Sequence, residues 1–146
     1  MAMFPNLQKR RQFVAAGFYG LTQVAVAQVR SPDKAAKIVV ADASLKPDRI
    51  EAKDIISGNP RAGNLVFSTS ADARETRGVW SCTRGSFHWT FDTDETAVIL
   101  EGLVKVRMED GTTLDLKQGD MAFFPRGQKS VWTIEEDLRK VYILYR

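Results

Sequence analysis

Few residues in this chain have the chemistry to act as acids, bases, nucleophiles or metal ligands of the usual kind. There is one histidine, His88, and one cysteine, Cys82, in 146 residues. An imidazole titrates close to neutral pH, so a histidine beside a carboxylate can pass protons in either direction. A single cysteine can form neither an intrachain disulfide nor a Cys-rich zinc site. As a nucleophile Cys82 would need a base, and His88 is the only histidine to supply one; the plainer reading is a small, half-buried strand residue. Side chains alternate across a strand, so His88 and Thr90 share one face while Trp89 and Phe91 share the other. His88 also has a plain reading, as a core histidine with its hydrogen bonds satisfied.

These residues must be held by one domain, the natural expectation for 146 residues. With 44% hydrophobic and 27% charged residues, the chain can bury a core without disulfides or a structural metal. The net charge of +3 is unevenly placed. Residues 1–30 carry Lys9, Arg10, Arg11 and Arg30 and no acid, whereas residues 31–146 hold 17 basic and 18 acidic side chains. The remainder of the chain therefore has no basic excess, and no nucleic-acid surface is expected.

The first thirty residues stand apart as an N-terminal extension. Arg10-Arg11-Gln12-Phe13-Val14 resembles a twin-arginine export signal, although Lys9 replaces the usual hydroxyl residue before the pair. An uncharged stretch from Gln12 to Val29 follows, and Ala25-Val26-Ala27 has the small-x-small pattern of a cleavage site after Ala27. This stretch is too short and polar for a stable membrane span. An amphipathic N-terminal helix and an upstream start codon are the competing readings. The expected location is cytoplasmic, or periplasmic if Arg10-Arg11 begins a cleaved signal.

Residues 31–62 read as lead-in loops with an edge strand at Lys37–Val40, a turn or short strand over Glu51–Ser57 and a turn at Gly58-Asn59-Pro60. Residues 63–146 read as β throughout. Strands are expected at 65–69, 77–83, 86–91, 95–100, 103–108, 113–117, 121–124, 130–134 and 140–144. Val104, Val106 and Met108 alternate with Lys105, Arg107 and Glu109, as in a half-buried strand. Asp110-Gly111 marks a tight hairpin. Short strands at regular spacing with Gly and Asp turns predict an all-β sandwich or small barrel.

Two spacings then coincide with known motifs. Glu95 is followed by six residues and Gly102, with His88-Trp89-Thr90 upstream. Gly119 is followed by five residues and Pro125-Arg126-Gly127, with Ser130 and Ile134 after it. This pattern resembles the paired motifs of cupins, the all-β double-stranded β-helix or jelly-roll barrels. Gly58-Asn59-Pro60, Phe87-His88-Trp89, Asp94-Glu95-Thr96, Leu100-Glu101-Gly102, Phe124-Pro125 and Arg139-Lys140-Val141-Tyr142 are similar to short single-domain cupins related to the (S)-ureidoglycine aminohydrolase cupin domain. The likeness covers roughly residues 58–145, and a cupin barrel hosts many functions.

Metal-binding cupins of this kind hold a divalent ion with three histidines and a glutamate. Carried over by position, His88 and Glu95 remain, while Thr90 and Ser130 stand where histidines would. Hydroxyls are poor transition-metal ligands, so no cofactor is expected; Mn, Zn, Ni or Fe could bind only with water or substrate completing the site. If His88 points inward, the resemblance implies that it meets Glu95 and Ser130 in a cavity walled by Trp132. Such a cavity suits a small polar ligand, with His88 and Glu95 as candidate catalytic groups and Thr90, Ser130 and Trp132 as ligand contacts. In the plainer reading Glu95 pairs with Arg139 or another cation, the tryptophans fill core or dimer interface, and Arg139-Lys140 is a solvated turn or strand edge. The leading expectation is thus a small-molecule-binding cupin with a degenerate metal site, forming a homodimer. The alternatives are a metal-dependent enzyme acting on a small nitrogen-containing compound and a non-catalytic dimerising barrel.

Overall fold

The computed structural model describes residues 32 and 34–146. The expectations for residues 1–30 lie outside them. Nine strands form among the described residues: β1 Lys46–Asp48, β2 Ile55–Gly58, β3 Ala62–Thr69, β4 Glu75–Cys82, β5 Gly85–Thr90, β6 Asp94–Met108, β7 Thr113–Lys117, β8 Met121–Phe124 and β9 Lys129–Tyr145. A single 3-10 turn at Ala52–Asp54 is the helical element among the described residues. No helix of the described residues is long and apolar enough to cross a membrane.

Two strands organise the rest. β6 and β9 pair antiparallel along their length, from Asp94 opposite Tyr145 to Met108 opposite Ser130. The C-terminal half of β9 carries β4, then β3 and β1, while the N-terminal half of β6 carries β8. At the other ends, β9 carries β5 and β2, and β6 carries β7. The shared strands thus pass from one sheet layer into the other, which gives the jelly-roll barrel expected from the sequence.

The passage between layers occurs where the register slips, between Ile99 and Val104 on β6. Gly102 sits at this bend with φ +89°, and a Cβ there would lie 2.2 Å from the carbonyl oxygen of Asp137. Both the backbone angle and the close approach of β9 exclude a side chain. The sequence expectation of two strands at 95–100 and 103–108 is corrected to one continuous bent strand. Likewise 130–134 and 140–144 are the two ends of β9. Lys37–Val40 is not a strand; Val39 is 60% exposed. The lead-in instead supplies β1 and β2, which cover Trp80 and extend β5.

Alternation sorts the side chains into core and surface. Phe87, Trp132, Val104, Val106, Ala97, Ile99, Leu138 and Tyr142 fill the interior between the layers. The outer face of the β5–β9–β6–β7 layer is polar, with Lys105–Asp115 and Lys129–Glu109 ion pairs. The outer face of the other layer exposes Met121, Phe123 and Ile143.

Candidate functional site

The site follows from which faces β5, β6 and β9 turn inward. On β5, Phe87 pairs with Trp132 and Trp89 with Ser130, and these face the core. His88 pairs with Val131 and is exposed, as is Thr90 opposite Lys129. Glu95, Ser130 and Trp132 are buried, at 6%, 5% and 2% exposure. The barrel therefore brings Glu95, Ser130 and Trp132 inside and leaves His88 and Thr90 on the outer surface.

This corrects the sequence expectation that His88 and Glu95 form a catalytic or metal-binding pair. The physical reason is a one-residue frame. The cupin motif that this stretch resembles places its His-x-His three or four residues before its Glu, and a spacing of four before Glu95 puts His88 and Thr90 inward. The alternative spacing of three puts Trp89 and Phe91 there, and the fold adopts it, with Phe91 2% exposed. A shift of one residue exchanges the faces of a strand. The signal was present: Phe87, Trp89 and Phe91 form an apolar alternation, and Ser86, His88 and Thr90 a polar one.

The donors do not fit a metal either. Among the described residues no group of three His, Cys, Asp or Glu side chains is placed to hold an ion. Ser130 Oγ donates to the Trp89 carbonyl at 3.1 Å. Glu95 is occupied by Lys140, whose Nζ donates to its Oε1.

Lys140 is the residue the sequence reading missed. The sequence suggests a solvated turn or strand edge at Arg139-Lys140, yet Lys140 is 6% exposed. Its position in the inward alternation Leu138, Lys140, Tyr142 of β9 is the signal that it enters the core. Its ammonium lies 5.0 Å from the Trp80 ring centroid and 4.6 Å from that of Trp132. Two aromatic faces and one carboxylate thus replace its water shell. Arg139 points the other way, and its Nη2 donates to the Ala43 carbonyl at 3.1 Å.

Around this ion pair the interior is aromatic. Trp132 meets Trp80 edge-on at 6.3 Å, stacks on Phe87 at 6.4 Å and tilts against Phe124 at 5.6 Å. Phe124 stacks on Phe91 at 4.6 Å. The two indoles beside Lys140 differ in one respect. Trp80 Nε1 donates to Asp48 Oδ2 of β1 at 3.2 Å, whereas Trp132 Nε1 is buried with no acceptor among the described residues. An indole N–H has one proton to give, and leaving it unpaired in the core is costly. Tyr142 donates to Asn64 Oδ1 at 2.8 Å, and burial pushes its hydroxyl up to about 12. Burial also pushes the Cys82 thiol up to about 12, so it is a poor nucleophile.

A cleft of about 250 Å³ opens near this interior, lined by Met108, Asp110, Thr112, Leu114, Phe123, Phe124, Pro125 and Gln128. It lies between the far ends of β7 and β8, which each pair with β6 and not with one another. Neither Glu95, Lys140 nor Trp132 lines it. The connection is Phe124, which lines the cleft, touches Trp132 and stands opposite Glu95 in the β6–β8 ladder.

Residues 69–142 match the EutQ-like cupin domain. The chain belongs to this family. The EutQ-like cupin domain is 24% identical over 80 residues to the acetate kinase EutQ of Clostridioides difficile strain 630, across 55% of this chain. It spans about half the length, 50%, of that curated relative. Among solved structures it is similar to a DUF861 protein of unknown function from Pseudomonas syringae pv. tomato, with TM-score 0.68 and 25% identity, covering 80% of this chain and 51% of the other. The putative ethanolamine utilization protein Q of Salmonella typhimurium shares the fold at TM-score 0.53 and 22% identity, over 70% of this chain and 98% of the other. These relatives place the chain among cupins near EutQ and DUF861 proteins, a coarser assignment than the aminohydrolase-like branch read from sequence.

Proposed function

We propose that this EutQ-like cupin domain is a small-molecule-binding barrel that works without a metal, with its ligand seated on Lys140, Glu95 and Trp132. One observation carries the reading: an ion pair lies in the aromatic interior beside an indole donor that has no acceptor. Lysine and glutamate are among the residues least often buried, and an apolar pair of similar volume is commonly as stable. Recognition of a ligand accounts for a polar cluster buried at that cost. In this reading the β7–β8 cleft is the approach, because Phe124 of its lining packs against Trp132.

The test is a thermal-shift screen of small organic compounds against wild type and the double variant Glu95→Leu/Lys140→Met. Ligands that raise the Tm of wild type and leave the double variant unmoved support the reading. Equal shifts in both proteins, or no shift with any compound, would refute it. The metal-dependent alternative, including an aminohydrolase-like reaction, needs imidazole inside the barrel. The outward His88 gives it no support.

Self-association is a second reading, favoured by the asymmetry of the two outer faces. Met121, Phe123 and Ile143 are 71%, 58% and 38% exposed on one layer, whereas the other layer exposes Ile56 at its β2 edge and otherwise carries the Lys105–Asp115 and Lys129–Glu109 ion pairs. An apolar patch is self-complementary, as a two-fold homodimer requires. Sedimentation of wild type and Phe123→Arg would decide it: a dimer converted to a monomer supports pairing through this face, and a monomeric wild type refutes it.

A further inference from the structure

We propose that Lys140 is a carbonyl-capturing amine, forming an imine with a small uncharged aldehyde or ketone, with Glu95 as proton acceptor and Trp132 Nε1 as donor to the carbonyl oxygen. The inference rests on the binding reading above and names the class of compound that reading leaves open.

The geometry supplies the parts such a step needs. A primary amine and a carboxylate base are in direct hydrogen-bond contact. That contact is the arrangement in which a base activates a nucleophile. Both groups are buried, at 6% exposure each, so little water competes for the carbonyl or the product. Trp132 Nε1 is an unspent donor on the ring beneath the ammonium. A donor held ready for a developing oxyanion lowers the barrier to addition. The rings of Trp80, Phe91 and Phe124 all pack on Trp132, so an apolar substituent bound there would meet aromatic surface.

The charge of the site restricts the partner. Lys140 and Glu95 already neutralise one another, so an additional charge would enter a dry interior without a counter-ion. A carboxylic acid or an amine is therefore disfavoured, and an uncharged carbonyl compound suits the neutral ion pair. Glu95 removes one proton from the ammonium, and the freed nitrogen lone pair attacks the carbonyl carbon as the C=O π bond breaks. The oxygen takes a proton from nitrogen to become a carbinolamine hydroxyl. Loss of that oxygen as water, with the last proton from nitrogen, forms the C=N bond. One carbonyl compound and one ammonium–carboxylate pair thus give one imine, one water and a neutral carboxylic acid.

The experiment is reductive trapping of the full chain at neutral pH with acetone or propanal and cyanoborohydride, with the adduct located by peptide mass spectrometry. The expected result is modification of Lys140 roughly tenfold faster than of exposed lysines such as Lys105 and Lys129. Trapping in Trp132→Phe, which keeps a ring but lacks the N–H, should be slower. Lys140 left unmodified, or modified no faster than the surface lysines, would overturn the proposal; equal trapping in Trp132→Phe would overturn the part given to the indole. Compounds that stabilise wild type through Lys140 and Glu95 while trapping leaves Lys140 untouched would reject imine formation and leave the binding reading standing.

Discussion

Removing Lys140 alone should be among the most damaging single changes in this barrel. In Lys140→Met, Glu95 remains at 6% exposure with its only ion-pair partner among the described residues gone. Breaking a buried pair in this way costs about 3–5 kcal/mol, because the carboxylate must be held unpaired in the core or take up a proton. Each kcal/mol moves the Tm of a domain of this size by about 2–4 °C. The expected loss is therefore roughly 6–20 °C. Glu95→Leu, which strands the ammonium between two indoles, should cost a similar amount. The double variant Glu95→Leu/Lys140→Met should recover most of the loss, since two apolar side chains replace two mutually dependent charges. Thermal and urea unfolding followed by tryptophan fluorescence measures all four proteins in one cycle. Single variants that each lose less than about 1 kcal/mol would show that water reaches the pair, and would refute the dry interior on which the reasoning rests.

Three further outcomes follow from the same structure. Gly102→Ala should destabilise clearly more than Gly111→Ala: both have positive φ, but only at Gly102 would a Cβ strike the Asp137 carbonyl. Strain alone is about 1–3 kcal/mol, so chemical denaturation should give that for Gly111→Ala and a larger loss for Gly102→Ala. Stability should decline as pH rises from about 9 towards 12. In the unfolded chain Cys82 and Tyr142 release protons near their ordinary 9.0 and 10.0, while burial holds both to about 12 in the folded state. Urea titrations across that range should show a shallower decline in Cys82→Ala. Elemental analysis of protein purified without chelator should find no stoichiometric Mn, Zn, Ni or Fe; about one metal per chain, lost in both His88→Ala and Glu95→Ala, would contradict the metal-free reading.

The barrel was legible in the sequence because its signals are local. Alternation over 103–108, the Asp110-Gly111 hairpin and the spacing of Gly102, Gly119 and Pro125 each specify backbone shape independently of distant partners. Strand ends were less legible. β6 and β9 continue through a bend because each is the other's partner there, and a residue such as Gly102, which reads as a break, is a hinge within a continuous strand. The lead-in strands β1 and β2 were obscured for a similar reason: Lys46-Pro47-Asp48 has no apolar alternation and becomes a strand through pairing with β3.

The site was half legible. Glu95, Ser130 and Trp132 lie in the interior, because their positions follow the parity of β6 and β9. His88 and Thr90 were placed on the wrong face because the motif tolerates two spacings and one of them inverts β5. Lys140 was overlooked because a lysine is ordinarily read as solvated. Only the cross-strand meeting of β6 and β9, which sets Glu95 and Lys140 facing the same interior, reveals that each supplies the other's charge.

The interior as a ligand site is tested most directly by the indole N–H resonances in a ¹⁵N-labelled sample. Trp80, Trp89 and Trp132 give one signal each. On titration with the compound that most stabilises the wild type, the Trp132 indole should shift most strongly as its buried N–H gains an acceptor. Trp80, already bonded to Asp48, should move less. A titration that perturbs only surface positions and leaves the Trp132 indole unmoved would contradict a ligand in the barrel.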